Sequence, residues 1–165
     1  MGVCQDRVVI ITGAGGGLGA AHAKVFAAEG AKIIVNDINQ EAAQKVVDDI
    51  KAAGGDAVVN TSDITNYDDS LNAVKQAIDT FGDLHVVLNN AGINRDRMFA
   101  SMTEADWDAI MAVHLKGHFC ITSHAVHYWR GQSKEGKAVD ARIINTTSGA
   151  GLQGSVGQSN YAAAK

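Results

Sequence analysis

The chain contains no proline and only two cysteines among its 165 residues. Absence of proline argues against a stiff extended linker and favours tight turns between regular elements, for which 18 glycines are available. Cys4 and Cys120 lie far apart and read as free thiols of a reducing compartment. No apolar run approaches the roughly 20 residues needed to span a bilayer. The net charge of −4 gives no electrostatic case for nucleic acid or an anionic membrane. The opening residues lack a basic segment followed by an apolar stretch, and Asp6 stands where a myristoylation signal needs Ser or Thr.

What is present is an alternation of two patterns. Arg7–Thr12, Lys32–Asn36, Ala57–Val59, Leu84–Leu88 and Arg142–Thr146 are short, β-branched, nearly continuous apolar runs. Between them lie amphipathic segments over Leu18–Glu29, Glu41–Ala53 and Asp68–Phe81. A long helix is expected from a capping box at Thr103–Asp106 to about Trp129, followed by a polar loop over Gly131–Asp140. A glycine-rich loop and the start of another helix at Asn160 end the pattern. Continuous apolar strands alternating with helices imply a parallel sheet covered on both faces, linked by right-handed crossovers. The expected fold is one α/β domain over residues 1–165, a Rossmann-type doubly wound sheet in three α/β/α layers.

Thr12-Gly13-Ala14-Gly15-Gly16-Gly17-Leu18-Gly19 joins the first strand to the first helix. A dinucleotide pyrophosphate needs backbone N–H groups and a helix N-terminus at close range, which side chains would block. By itself such a string is often only a tight turn; its strand-to-helix context gives it meaning. Asp37 follows the second strand, 18 residues after Gly19. A carboxylate there accepts from ribose hydroxyls and repels a 2′-phosphate, so NAD is expected rather than NADP.

These spacings resemble the short-chain dehydrogenase/reductase family. Thr-Gly-x-x-x-Gly-x-Gly is similar to its dinucleotide turn, and Asn89-Asn90-Ala91-Gly92 to its second signature. Ser148 and Tyr161-x-x-x-Lys165, with Tyr161 13 positions after Ser148, are similar to its catalytic set. The resemblance implies an NAD-dependent oxidoreductase interconverting a hydroxyl and a ketone, with Ser148, Tyr161 and Lys165 catalytic. It implies cofactor contacts at Thr12, Gly13, Gly17, Leu18, Gly19 and Asp37, with Asp63 and Ile64 beside the adenine. Asn90, Tyr161 and Lys165 would stand near the nicotinamide ribose. His114 occupies the place of an Asn that holds a proton-relay water in many members. A His there resembles the hydroxyacyl-CoA dehydrogenase domain of peroxisomal multifunctional enzyme type 2 and its bacterial relatives, which tilts the substrate toward a 3-hydroxyacyl thioester. A 3-ketoacyl carrier-protein reductase and a steroid or other alcohol dehydrogenase remain as alternatives.

The histidine pairs His114/His118 and His124/His127 lack the intervening Glu of a zinc helix, and no metal is expected. Phe119, Ile121 and Trp129 read as core or interface. The resemblance further implies a homodimer or homotetramer and a cytoplasmic, or in a eukaryote peroxisomal, setting. Family members continue beyond the position of Lys165, so the fold is expected to be C-terminally incomplete here. A non-catalytic nucleotide-binding fragment is the reading from another class: a 165-residue piece would bind NAD weakly through its glycine turn without turnover, because a terminal helix frays.

Overall fold

A computed structural model describes residues 2–165. The elements in chain order are β1 (Val8–Thr12), α1 (Gly17–Ala28), β2 (Lys32–Asn36), α2 (Gln40–Ala52), β3 (Asp56–Asn60), α3 (Tyr67–Phe81) and β4 (Val86–Asn89). They continue with α4 (Glu104–Met111), α5 (Gly117–Lys134), β5 (Arg142–Asn145), α6 (Gly149–Gln153) and α7 (Ser159–Ala164). The five strands form one sheet in the order β3-β2-β1-β4-β5, and every pairing is parallel. The strand order reverses direction between β1 and β4, which opens a crevice at their C-terminal ends.

Successive side chains on a strand point to opposite faces, and β1 uses both. Val9 and Ile11 pack with Ala23, Ala27, Val46, Val47 and Ile50 of α1 and α2. Val8 and Ile10 pack with Ala73, Val74, Ile121, Ala125 and Trp129 of α3 and α5. That two-sided burial is why the strand reads as an unbroken apolar run. Trp129 seats its indole N–H on Leu84 O at 2.7 Å, so its polar edge is satisfied inside the core.

Helix starts follow their side chains. Asn39 accepts from the Ala42 N–H and Asn66 from the Asp69 N–H. Thr103 and Asp106 form a reciprocal capping box before α4. By contrast, α1 begins at Gly16 with no side-chain cap, leaving its first N–H groups open.

The long helix expected from residue 103 departs from expectation. It is α4 and α5 joined by a π-helical turn over Ala112–Lys116, and it runs on to Lys134. Gly131 therefore lies inside the helix, and the chain turns off only near Gly136, whose φ is +79°. The segment after β5 is not wholly loop: Ser148 caps the short helix α6 through the Ala150 N–H. Phe119 is 61% exposed, whereas Ile121 and Trp129 are buried as expected. β5 departs from the two-sided cover of its neighbours, with Ile143 and Ile144 about 40% exposed, because it pairs only with β4.

Ile10 sits fully buried in the middle of the central strand. Ile10→Ala is expected to lower unfolding free energy by about 2–5 kcal/mol through lost contacts and a cavity. The check is a lower urea midpoint at unchanged slope; an unaltered midpoint would mean that the two core layers do not depend on β1.

Candidate active site

Thr12 ends β1 fully buried. Its Oγ1 accepts the N–H groups of Asn90 and Ala91, both at 3.0 Å. The Asn90 amide returns the tie, donating to Thr12 O at 3.0 Å and Gly13 O at 3.3 Å. Thr12 and Asn90 thus bind the ends of β1 and β4 together and shape the turn from beneath. Asn89 is fully buried one residue earlier and donates to Thr122 Oγ1 and Asn145 Oδ1, joining β4 to α5 and β5.

The glycine turn above this clamp depends on close approach. A Cβ on Gly19 would lie 2.2 Å from Gly13 O, so only glycine lets α1 start tightly against β1. Gly17 has φ +52°, a left-handed conformation that strains other residues. Beyond Gly16 and Gly17 there is open space, and Leu18 is 68% exposed at the open helix start. These backbone donors suit an anionic pyrophosphate.

Asp37 stands at the end of β2. Its carboxylate accepts from Gly15 N–H and Asn39 N–H, each at 2.9 Å. Among the described residues no cation pairs with it. A cleft of about 240 Å³ runs from Gly13 and Asp37 past Asp63 and Ile64 to Gly92. Ile64 is 5% exposed and packs on Gly117, while Asp63 Oδ1 accepts from the Thr65 N–H and hydroxyl. The residues present therefore fit an adenosine dinucleotide: open N–H groups for the pyrophosphate, a carboxylate for the ribose and an apolar wall for the base.

The far end of this cleft reaches Gly92, where His114 begins a second group of side chains. A Cβ on Gly92 would meet the His114 ring at 2.5 Å. The π turn directs His114 inward, leaving it 3% exposed while Leu115 and Lys116 face solvent. Its Nε2 lies 2.8 Å from Ile93 O and 3.0 Å from Ile93 N. A neutral imidazole nitrogen either donates or accepts, and donation to the closer carbonyl leaves Nδ1 as a buried acceptor. That Nδ1 has no partner among the described residues.

The His114 ring meets Tyr161 edge-on at 5.0 Å between centroids. Lys165 Nζ lies 5.7 Å from the Tyr161 ring centre and donates to Thr146 O at 2.7 Å. Burial holds the Lys165 ammonium below the ordinary lysine range. Tyr161 in α7 and Lys165, the residue that closes that helix, lie on one face because they are four residues apart. No hydrogen bond joins Ser148 to Tyr161 among the described residues; the Ser148 hydroxyl accepts from Ala150 N–H, which leaves its own proton free. His114, Tyr161 and Lys165 thus form one contact group, while Ser148 stands two residues beyond the Thr146 carbonyl that Lys165 holds.

Asn160, where the sequence places the start of a helix, is fully buried. It donates to Arg95 O and Asp106 O, both at 3.2 Å, and accepts from Tyr161 N–H at 2.8 Å. Three bonds from one side chain set where α7 begins. The segment after β4 is laced to the same region by Arg97 N–H to Gly157 O at 2.8 Å and Gln158 Nε2 to Asp96 Oδ2 at 2.9 Å. Met98, Phe99 and Val156 remain exposed on these two laced segments.

Comparison with known proteins agrees with this arrangement. Residues 7–165 match the family model described as short chain dehydrogenase. The hydroxyacyl-CoA dehydrogenase ChsB1 of Mycobacterium tuberculosis is 46% identical over 98% of this chain and 53% of its own length. Peroxisomal multifunctional enzyme type 2 of Mus musculus is 45% identical over 98% of this chain and 22% of its own. A crystal structure of a short chain dehydrogenase from Mycobacterium avium superposes with a TM-score of 0.97 at 58% identity, covering 99% of this chain and 61% of that one. The chain therefore spans about half or less of the curated relatives' length.

Burial pushes His118, one turn beyond His114, down to about 4 from an ordinary 6.5, with Lys165 and His114 adding to the effect. His114 is lowered as well, chiefly by burial. The unfolded chain then binds more protons than the folded one below about pH 6.5, so this contribution to stability is complete above 6.5 and is lost as pH falls toward 4. His118→Gln should flatten the decline of the urea midpoint over that range. An equally steep decline in the variant would show that His118 is not held neutral.

Proposed function

We propose, because this chain belongs to the short-chain dehydrogenase family, that it carries the cofactor site and reacting side chains of an NAD-dependent oxidoreductase. The reaction interconverts a hydroxyl and a ketone, and the substrate is a 3-hydroxyacyl thioester. The observation that carries the reading is the contact of Tyr161 with both His114 and the Lys165 ammonium, where His114 packs on Gly92 at the far end of the cleft that begins at Asp37. The cofactor, when bound, supplies the hydride acceptor and donor.

The remaining work falls to side chains of this chain. In the oxidation direction Tyr161 takes the proton of the substrate hydroxyl. The Lys165 ammonium, 5.7 Å from the Tyr161 ring centre, stands where it can offset negative charge that develops on the phenol oxygen as the proton moves. The free proton of Ser148 is donated to the substrate oxygen and stabilises charge there. Asp37 selects against a 2′-phosphate by charge. His114, tied to Ile93, holds the Tyr161 ring from the side and keeps one basic nitrogen turned inward.

The acyl thioester reading has two supports. One is the likeness to a protein named for hydroxyacyl-CoA. The other is the exposed apolar trio Met98, Phe99 and Val156, on two segments joined by the Arg97 N–H to Gly157 O bond, which offers an acyl chain an apolar surface. The residues that complete the substrate side, and any homodimer or homotetramer, are proposed to belong to the full-length protein. Its compartment is proposed to be reducing, as two free cysteines suit.

Full-length protein is expected to form NADH when given NAD⁺ and a 3-hydroxyacyl-CoA. Tyr161→Phe should cut that rate by about 10²–10⁴-fold, the usual contribution of a positioned base, with NADH binding retained. A Tyr161→Phe protein as fast as the wild type would overturn the assignment of the base. In a separate titration NADH should bind at least about tenfold more tightly than NADPH, a difference of about 1.4 kcal/mol, and Asp37→Ala should narrow the gap. Equal binding of the two by the wild type would remove the role given to Asp37.

A further inference from the structure

A chain of side-chain amides runs through the interior where β2 and β3 end. Asn36 and Asn60, the last residues of those strands, stand opposite each other in the parallel register. The Asn36 amide donates to Asn60 Oδ1 at 2.7 Å and to Ser62 O at 2.9 Å. The Asn60 amide donates to Gln76 Oε1 of α3, and the Gln76 amide donates to Val59 O, both at 2.9 Å. Asn60 Oδ1 also accepts from the Ser62 N–H at 3.1 Å. Asn36, Asn60 and Ser62 are all buried. The donors run one way, from Asn36 to Asn60 to Gln76, so each amide fixes the orientation of the next. Asn is depleted in strands, and an apolar pair would fill this space without needing partners. The gain from the amides is therefore one of placement.

What they place lies beside the nucleotide cleft. Asn36 O accepts from the Ala14 N–H of the glycine turn at 2.9 Å, and the Asp37 N–H donates to Asn60 O at 3.0 Å. Asn36 is thus held at its carbonyl and its side chain, one residue before Asp37. The fit beyond it is close: Asp37 Oδ2 accepts from the Gly15 N–H, and a Cβ on Gly15 would lie 2.8 Å from that oxygen. Asn36 and Ser62 line the cleft together with Asp37 and Asp63, whereas Asn60 stands behind them.

We propose that the amide chain Asn36–Asn60–Gln76 positions the Asp37 carboxylate for the adenosine ribose, with Asn60 as a positioning residue that acts through Asp37 and not on the cofactor. The inference rests on the role given to Asp37 above. Hydrogen bonds to ribose hydroxyls weaken steeply with misalignment, whereas repulsion of a 2′-phosphate depends on charge and falls off slowly with distance. Loosening the chain therefore weakens binding of an unphosphorylated ribose more than it relieves the repulsion.

The test uses full-length protein and measures binding of ADP-ribose and of its 2′-phosphorylated form by calorimetry, without turnover. Asn60→Ala should bind ADP-ribose about tenfold more weakly, as expected for disturbed hydrogen bonds to a charged group, with affinity for the 2′-phosphorylated form close to the wild-type value. In turnover the KM for NAD⁺ should rise by a similar factor at unchanged kcat. In an Asp37→Ala background the same Asn60 substitution should cost little further ADP-ribose affinity, since two residues acting as one unit are not additive. Gln76→Leu, which cuts the chain at its half-buried end, should repeat the effect more weakly and carries the same cycle if Asn60→Ala does not fold. Wild-type ADP-ribose affinity in the variant that folds would overturn the proposal. Losses that add in full to that of Asp37→Ala would overturn it as well, because a general loosening of the fold does not require Asp37. Equal wild-type affinity for the two ligands would count against charge selection by Asp37, and the cycle in ADP-ribose affinity would then decide the positioning role alone.

Discussion

The buried hydroxyl of Thr12 holds two backbone N–H groups from the end of β4, and the Asn90 amide reaches back to two carbonyls at the end of β1. These four bonds lie where the sheet reverses its strand order, between the two elements that carry the halves of the site. Slackening them would move the glycine turn relative to Gly92. Since Gly92 packs against the His114 ring and His114 packs against Tyr161, the displacement would travel from the cofactor cleft to the reacting hydroxyl through direct contact. Positioning errors of this kind are costly, about a hundredfold in rate for 1 Å.

The electrostatics of the second half follow from the same packing. Among the described residues no carboxylate pairs with His114, His118 or Lys165. Burial disfavours each of their charges and keeps both histidines neutral. Lys165 retains a carbonyl partner at Thr146, which steadies its position without neutralising it. At the cofactor end the balance reverses: Asp37 is an unpaired carboxylate supported by backbone dipoles. One end of the cleft is thus set to repel added negative charge, and the other to tolerate a developing phenolate.

Local irregularities place these groups. The π turn inserts an extra residue between α4 and α5, and that insertion points His114 inward while Leu115 and Lys116, next in the chain, face solvent. Asn160 spends all three of its bonds on fixing the start of α7, so Tyr161 and Lys165 occur on a short helix whose first turn is anchored from α4 and from the Arg95 backbone. Neither feature follows from helical periodicity.

Much was determined by the sequence alone. The five apolar runs, the helices between them, the capping box at Thr103, the glycine turn and Asp37 were all readable, because each rests on spacing within one element or one turn. So was the pairing of Tyr161 with Lys165, since residues four apart share a helix face. Tertiary structure alone decided that Thr12 and Asn90 serve as a clamp, that His114 binds Ile93, that His118 keeps a buried free nitrogen, and that the helix after Thr103 passes through a π turn and runs on to Lys134. It also decided that Ser148 caps α6. These depend on partners up to 78 residues apart in the chain. The period of a pattern reports the shape of its own element; which side chain then meets which carbonyl is settled only when the elements pack.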